Sequence, residues 1–258
     1  MPDHTIFNER PESQDRALKV IERLGYTIVP RSEAERKRGS RKAVLFTEEL
    51  QTFLSGQTYQ FGSETRYFSG GAIARAMQAV DQHSAAGLYA ANKEIYELIC
   101  SGKSMEEELP DGTRQSFDIR YIDFEHPENN TFQVTDEFEV ERPNGRFARP
   151  DLVVLVNGIP LVVIECKKSS VDVMEGVMQN IRNWGEDYIP HLFRYAQLVM
   201  AMNPDKVLYG TCGTPAKYFV SWHEDNKDWL NDWCRKCSPD GQIREQDLSL
   251  IHISEPTR

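Results

Sequence analysis

Two carboxylates and a lysine stand where two apolar runs meet their ends. Asp151 opens the run Leu152-Val153-Val154-Leu155-Val156, and thirteen residues further on Glu165-Cys166-Lys167 closes the run from Ile159 to Ile164. A charge at the end of a buried strand is costly unless it is paired or bound to a metal. A hairpin through Asn157-Gly158, a strong turn signal, brings all three charges to one place. Two carboxylates and one backbone carbonyl, that of Cys166, form the hard oxygen set that suits Mg²⁺, an ion that keeps several of its waters. Two carboxylates about 4 Å apart repel by roughly 4 kcal/mol at an effective dielectric near ~20, and a divalent ion removes that conflict. Lys167 adds a compact positive charge that can orient an attacking water or steady a phosphate. Each piece alone has a plainer reading: a turn aspartate, or an ion pair of Glu165 with Lys167 or Lys168. The apolar runs, the Asn-Gly turn and a helix after the lysine together point to a metal-dependent nuclease.

The hairpin that must position these groups has a parity problem. A regular two-residue loop at Asn157-Gly158 sets Val156 opposite Ile159 and Asp151 opposite Ile164. Glu165 then lies on the other side of the sheet, because a one-residue slip turns every side chain over. The carboxylates share a face only with a three-residue loop, Val156-Asn157-Gly158, or with a bulge in either strand. The same period-two alternation turns the Cys166 side chain away from its charged neighbours, as a small buried hydrophobe rather than a nucleophile.

Around the hairpin the pattern is that of an α/β or α+β chain. Helical spacing covers Pro11 to Tyr26 with Gly25 as its stop, Thr47 to Leu54 with Thr47 as N-cap, Ala72–Val80 and Ala86–Cys100. The basic stretch Arg31 to Lys42 reads as a mobile loop, and Arg36, Lys37 and Arg38 in it, with Lys168, are candidates for contact with DNA phosphates. Period-two alternation marks strands at Phe117–Ile122 and Thr131–Val140. The runs 152–156 and 159–164, apolar on both faces, belong in the middle of a sheet covered on each side by helices. Asp172 with Glu175 is the capping pair of a helix reaching about Trp184, and strands follow at Gln197–Met202 and Val207–Thr211. The expected fold is a central mixed sheet flanked by helices. Its expected divisions are a helical part at 1–110, a core at 111–225, a C-terminal segment at 226–248 and a vector-like tail at 249–258.

Arg149-Pro150-Asp151 through Asn157-Gly158 to Glu165-Cys166-Lys167 resembles the PD-(D/E)xK nuclease motif. In this form it resembles the N-terminal region of the restriction subunit of type I restriction endonucleases. Ile122-Asp123-Phe124 with Asn129-Asn130 and Phe132, Gly25-Tyr26, and Gly210-Thr211 with Trp222 agree, so the resemblance runs from about residue 12 to 225. It implies a restriction-endonuclease-like core with Asp151 and Glu165 as metal ligands, Lys167 as the third catalytic residue and the Cys166 carbonyl as an extra ligand. Gln179 matches a supporting glutamine on the following helix, while position 183, where the family often has tyrosine, is Asn. The family's first helix often carries a Glu near the site; Glu12, Gln14 and Asp15 stand here with no clear match. The implied activity is Mg²⁺-dependent (or Mn²⁺-dependent) cleavage of double-stranded DNA by in-line attack of water. The implied partners are a methylase subunit, a specificity subunit and motor domains of the same longer subunit. ATP would be used only by those motor domains, since no GxxxxGK[ST] phosphate loop occurs. Two further readings are another PD-(D/E)xK nuclease, of a repair or stand-alone kind, and an inactive docking module; helicase motifs in frame downstream would favour the first assignment.

Composition narrows the rest. The chain has 258 residues, 40% of them hydrophobic and 27% charged, which is a globular mixture. Thirty Lys+Arg against 40 Asp+Glu give a net charge of −10, ill suited to coating DNA without sequence preference. No run of about 18 uncharged apolar residues suggests a membrane span, and no secretion signal opens the chain. Five cysteines do not make a disulfide framework, so a reducing prokaryotic cytoplasm is the expected location. Cys234-Arg235-Lys236-Cys237 has zinc-knuckle spacing but no second pair, and is read as free thiols.

Overall fold

A computed structural model of the chain describes residues 12–82 and 86–222. The chain opens with α1 (Glu12–Arg23), β1 (Thr27–Val29), α2 (Arg31–Arg38) and α3 (Thr47–Ser55). A hairpin of β2 (Thr58–Phe61) and β3 (Glu64–Tyr67) leads to α4 (Gly70–Asp81) and α5 (Leu88–Ser101). A second hairpin, β4 (Lys103–Glu108) with β5 (Arg114–Ile119), precedes β6 (Phe132–Asp136) and the short pair β7 (Val140–Glu141) and β8 (Phe147–Ala148). Then come β9 (Leu152–Val156), β10 (Ile159–Cys166), α6 (Val173–Asn183), α7 (Pro190–Phe193), β11 (Leu198–Met202), β12 (Val207–Gly210) and β13 (Val220–Ser221).

The central sheet is mixed, in the order β1-β6-β9-β10-β11-β12-β13. β1 lies parallel to β6 and β10 parallel to β11, and the remaining neighbours are antiparallel. Parallel strands cannot be joined by a tight turn, and α6 is the crossover from β10 to β11. As their apolar runs require, β9 and β10 sit at the centre with both faces covered. On one face Ala17 and Leu18 of α1 pack on Val134, Leu152, Val154, Ile164 and Cys166. On the other, Val173 and Val177 of α6 join Val153, Leu155, Val163, Val199 and Ala201 in the main core. Fully burying an aliphatic side chain of this size stabilises the fold by roughly 1.5–3 kcal/mol, so the two layers fix α1 and α6 over opposite sides of the strand ends.

The hairpin resolves its parity with a bulge and not with a longer loop. Asn157 (φ 49°) and Gly158 (φ 80°) form a two-residue turn with both central residues left-handed, which sets Ile159 opposite Val156 and Pro160 opposite Leu155. The register then shifts, so that Val162 faces Val154 and Ile164 faces Leu152, leaving Leu161 as the extra residue. Leu161 is not idle: its carbonyl accepts the Gln197 amide at 2.8 Å at the entry to β11. The shifted register carries Asp151 to the position opposite Glu165.

Other expectations are corrected. The basic stretch expected as a loop is helical over α2, because its arginines find acidic partners one turn away, Arg31 with Glu35 at 3.2 Å, and Gly39 (φ 69°) caps its end. α3 begins at Thr47, but its N-cap position is Phe46, whose amide is held by the Gly158 carbonyl at 2.9 Å. The alternating stretch after Gly102 forms β5, which pairs with β4 outside the central sheet. The first 110 residues supply β1 to the central sheet as well as helices. The C-terminal segment 226–248, the tail 249–258, the pair Cys234 and Cys237, and Glu12 as a side chain lie outside the described residues.

Candidate nuclease centre

The bulged hairpin gathers Asp151, Glu165 and Lys167 at the open end of β9 and β10, and α6 closes over them. Asp151 is held by its own strand partner: the Cys166 amide donates to Asp151 Oδ2 at 2.7 Å. Glu165 is completely buried, at 0% exposure. Gln179, near the middle of α6, joins the two remaining charges with one amide. Its Nε2 donates to Glu165 Oε2 at 2.6 Å, and its Oε1 accepts from Lys167 Nζ at 2.6 Å. Lys167 Nζ itself stands 3.9 Å from Glu165 Oε2. One helical turn beyond Gln179, Asn183 Nδ2 stands 3.5 Å from the other oxygen of Glu165.

The electrostatics of this cluster are unbalanced. Burial pushes the Glu165 carboxyl well above the ordinary carboxylate range, the Asp151 charge pushes it further, and Lys167 only partly offsets them. Burial also raises Asp151, while the Cys166 amide and Lys167 favour its charged form. Without another cation, two buried carboxylates face one ammonium. Among the described residues no third His, Cys, Asp or Glu joins them as a ligand set. The donors on hand are therefore two carboxylates and peptide oxygens, a hard oxygen set that fits Mg²⁺ or Mn²⁺ and not a soft metal.

Several neighbours of the centre are not evident from residue type. Ser13 and Gln14 of α1 reach it from the opposite face: Ser13 Oγ donates to the Lys167 carbonyl at 2.8 Å, and Gln14 Nε2 to the Asp151 carbonyl at 3.2 Å. Asp15, the next first-helix candidate, is exposed. Gly176 lets α6 approach: a Cβ there would stand 3.0 Å from Ala201 Cβ and 3.5 Å from Lys167 Cε. Its position inside an otherwise helical run is the one sequence signal of close packing. Cys166 does turn away, its side chain buried among the α1-facing residues with burial raising its thiol strongly.

The basic residues named from sequence are distributed differently. Arg38 is buried, bonded to the carbonyls of Ala34, Ala43 and Glu139, and its guanidinium lies 4.0 Å from the Phe138 ring centroid. Lys37 pairs with Glu49 and Glu33. Arg36 is exposed beside Glu33, and Lys168 is exposed just beyond β10. The partners of the α2 residues are thus on α2, on α3 and around Glu139, not Asp151 or Glu165.

The family described as type I restriction enzyme R protein N terminus matches residues 6–218. The chain is 25% identical over 225 residues, 84% of its length, to the type I restriction enzyme HindI endonuclease subunit of Haemophilus influenzae, covering 20% of that protein. It is 36% identical over 85 residues, 33% of its length, to the SsaAORF53P endonuclease subunit of Staphylococcus saprophyticus, covering 9% of it. It is 30% identical over 120 residues, 45% of its length, to the SauCOLORF180P endonuclease subunit of Staphylococcus aureus, covering 12% of it. The chain thus spans at most a fifth of the length of these relatives.

Proposed function

The chain belongs to the family of type I restriction enzyme R protein N termini, and on that premise we propose that it is the DNA-cleaving segment of a restriction subunit, dependent on Mg²⁺ or Mn²⁺. One observation carries the reading. The bulge at Leu161 puts Asp151 and Glu165 opposite each other on one face, with Glu165 and Lys167 tied to the same Gln179 amide. Asp151, Glu165 and the Cys166 carbonyl would hold the ion. What a bound ion supplies at such a site is charge neutralisation and Lewis-acid polarisation of the phosphodiester.

The chain's own groups do the rest. Gln179 fixes the rotamers of Glu165 and Lys167 together, so the lysine charge stays beside the carboxylates instead of sampling solvent. Lys167, with a side chain 17% exposed, presents that charge at the rim, where it can offset the negative charge that builds on a phosphate under attack. The Cys166 amide keeps Asp151 turned inward. Double-stranded DNA is the substrate in this reading. Methylase and specificity subunits, and motor domains within the same longer subunit, are the partners; ATP belongs to those motor domains. Among the described residues no helix is long and apolar enough to cross a membrane.

The test is mutational. Asp151→Asn, Glu165→Gln and Lys167→Ala, placed in the complete restriction enzyme, should each lower DNA cleavage by about a hundredfold or more, with ATP hydrolysis kept. Full cleavage by any one of them removes that residue from the mechanism.

A further inference from the structure

The ladder that holds β9 to β10 stops short of the charged pair. Its last partners are Leu152 and Ile164, so the next position, Asp151 opposite Glu165, sets two like charges at a free strand end. Among the described bonds, the backbone partner of each strand end lies on its outer side. The Asp151 carbonyl accepts the Glu137 amide at 2.8 Å from the β6 side, and the Lys167 amide donates to the Met202 carbonyl at 2.7 Å on the β11 side. Across the seam itself the only described bond at this end is the one from the Cys166 amide to the Asp151 side chain. Repulsion between the carboxylates works to open this seam.

Consecutive residues of α1 close it from behind. Ser13 bonds the Lys167 carbonyl and Gln14 the Asp151 carbonyl, one strand each, and both side chains are 1% exposed. The helix is anchored by Ala17 and Leu18 against Leu152, Val154, Ile164 and Cys166, the residues just inside the seam. We propose that Ser13 and Gln14 are positioning residues: bridging the ends of β9 and β10, they set the separation of Asp151 and Glu165 and so the capacity of the site for a divalent ion. This rests on the metal-dependent reading above. Neither residue touches the reacting atoms; both act through the backbone that carries them.

The experiment uses the 258-residue chain with Ser13→Ala, Gln14→Met and Ser13→Thr, read two ways. Mn²⁺ affinity is measured by calorimetry, and amide hydrogen exchange at Cys166 and Lys167 is measured in metal-free protein. Val134→Ala, a loss from the same core away from the seam, controls for general loosening. Ser13→Ala and Gln14→Met should each weaken Mn²⁺ binding by about tenfold or more, as removal of groups that orient ligands does. They should also speed exchange at Cys166 and Lys167, while Ser13→Thr, which keeps the hydroxyl, stays near the parent. Unchanged affinity and exchange in both variants, or equal effects in Val134→Ala, overturn the proposal. A parent chain that binds no Mn²⁺ overturns the nuclease reading instead, and the exchange comparison still decides the role of α1.

Discussion

At the scale of single residues, the centre is built against its own stability. Glu165 and Asp151 both have folded-state carboxyls raised above the ordinary range. A group raised in this direction contributes stability that is full below the ordinary carboxylate range and is lost as pH rises through its raised value. Metal-free protein should therefore lose stability as pH climbs from the ordinary carboxylate range toward neutrality and beyond. Glu165→Gln keeps the shape of the protonated acid, can donate to Asp151 and can accept from Gln179. It should raise the stability of metal-free protein by roughly 1–3 kcal/mol at pH 8 and change little at pH 4, while abolishing cleavage. Thermal unfolding at the two pH values checks this; a destabilised Glu165→Gln at pH 8 would contradict it. That Asp151, Glu165 and Lys167 come together could be expected from sequence because a hairpin joins the ends of two apolar strands; Gln179 was expected only through the family resemblance. Ser13 was not, and Gln14 stood only among first-helix residues with no clear match, since neutral polar residues on an amphipathic helix look solvent-facing until the sheet is in place. Arg38 misled for the opposite reason: a guanidinium in a charged run proved to be an internal anchor for three carbonyls.

At the scale of elements, the hairpin joins fold to site. Parity alone required a longer loop or a bulge, and Pro160 tells which: a residue with no amide donor, inside a central strand, sits where the ladder is irregular. Deleting Leu161 makes the hairpin regular and keeps Val162 opposite Val154 and Asp151 opposite Glu165. The deletion should therefore keep divalent binding in calorimetry while disturbing the entry to β11, where the Leu161 carbonyl accepts the Gln197 amide; a folded variant that binds no divalent ion would refute the register argument. At the other end of the hairpin, Gly158 and Gly112 have the same φ of 80°, yet a Cβ at Gly158 would lie 2.3 Å from the Phe46 carbonyl oxygen while Gly112 has open space. Gly158→Ala should therefore cost about 2 kcal/mol more than Gly112→Ala in urea unfolding, the excess measuring the contact with the segment before α3. Central strands and the α6 crossover were legible because buried runs and capping residues are strong signals. β1 is three residues long, and β2 to β4 are mostly exposed, so neither had a hydrophobic period to read. α2 was hidden because its stability comes from charge pairs and one buried arginine and not from an apolar stripe.

At the scale of the whole molecule, charge and length point the same way. The chain carries −10 overall. An open cleft near the hairpin tip is lined by Glu48, Glu49, Asp118, Asp123 and Glu125 among others, a surface that repels phosphate. The chain on its own should bind double-stranded DNA only weakly at about 150 mM salt, with affinity falling further as salt rises. Tight binding under those conditions, read by fluorescence anisotropy, would show that the chain needs no partner to hold DNA. In the proposed reading, grip on DNA comes from other parts of the restriction enzyme; the chain spans between 9% and 20% of the length of the relatives compared above.

The account turns on whether Asp151 and Glu165 bind one ion. A crystal of the chain soaked in Mn²⁺, with data collected at the manganese absorption edge, answers this directly. The account predicts one anomalous peak between the two carboxylates, with oxygen ligands at about 2.0–2.3 Å from Asp151 and Glu165. No peak there in saturating Mn²⁺ would contradict it.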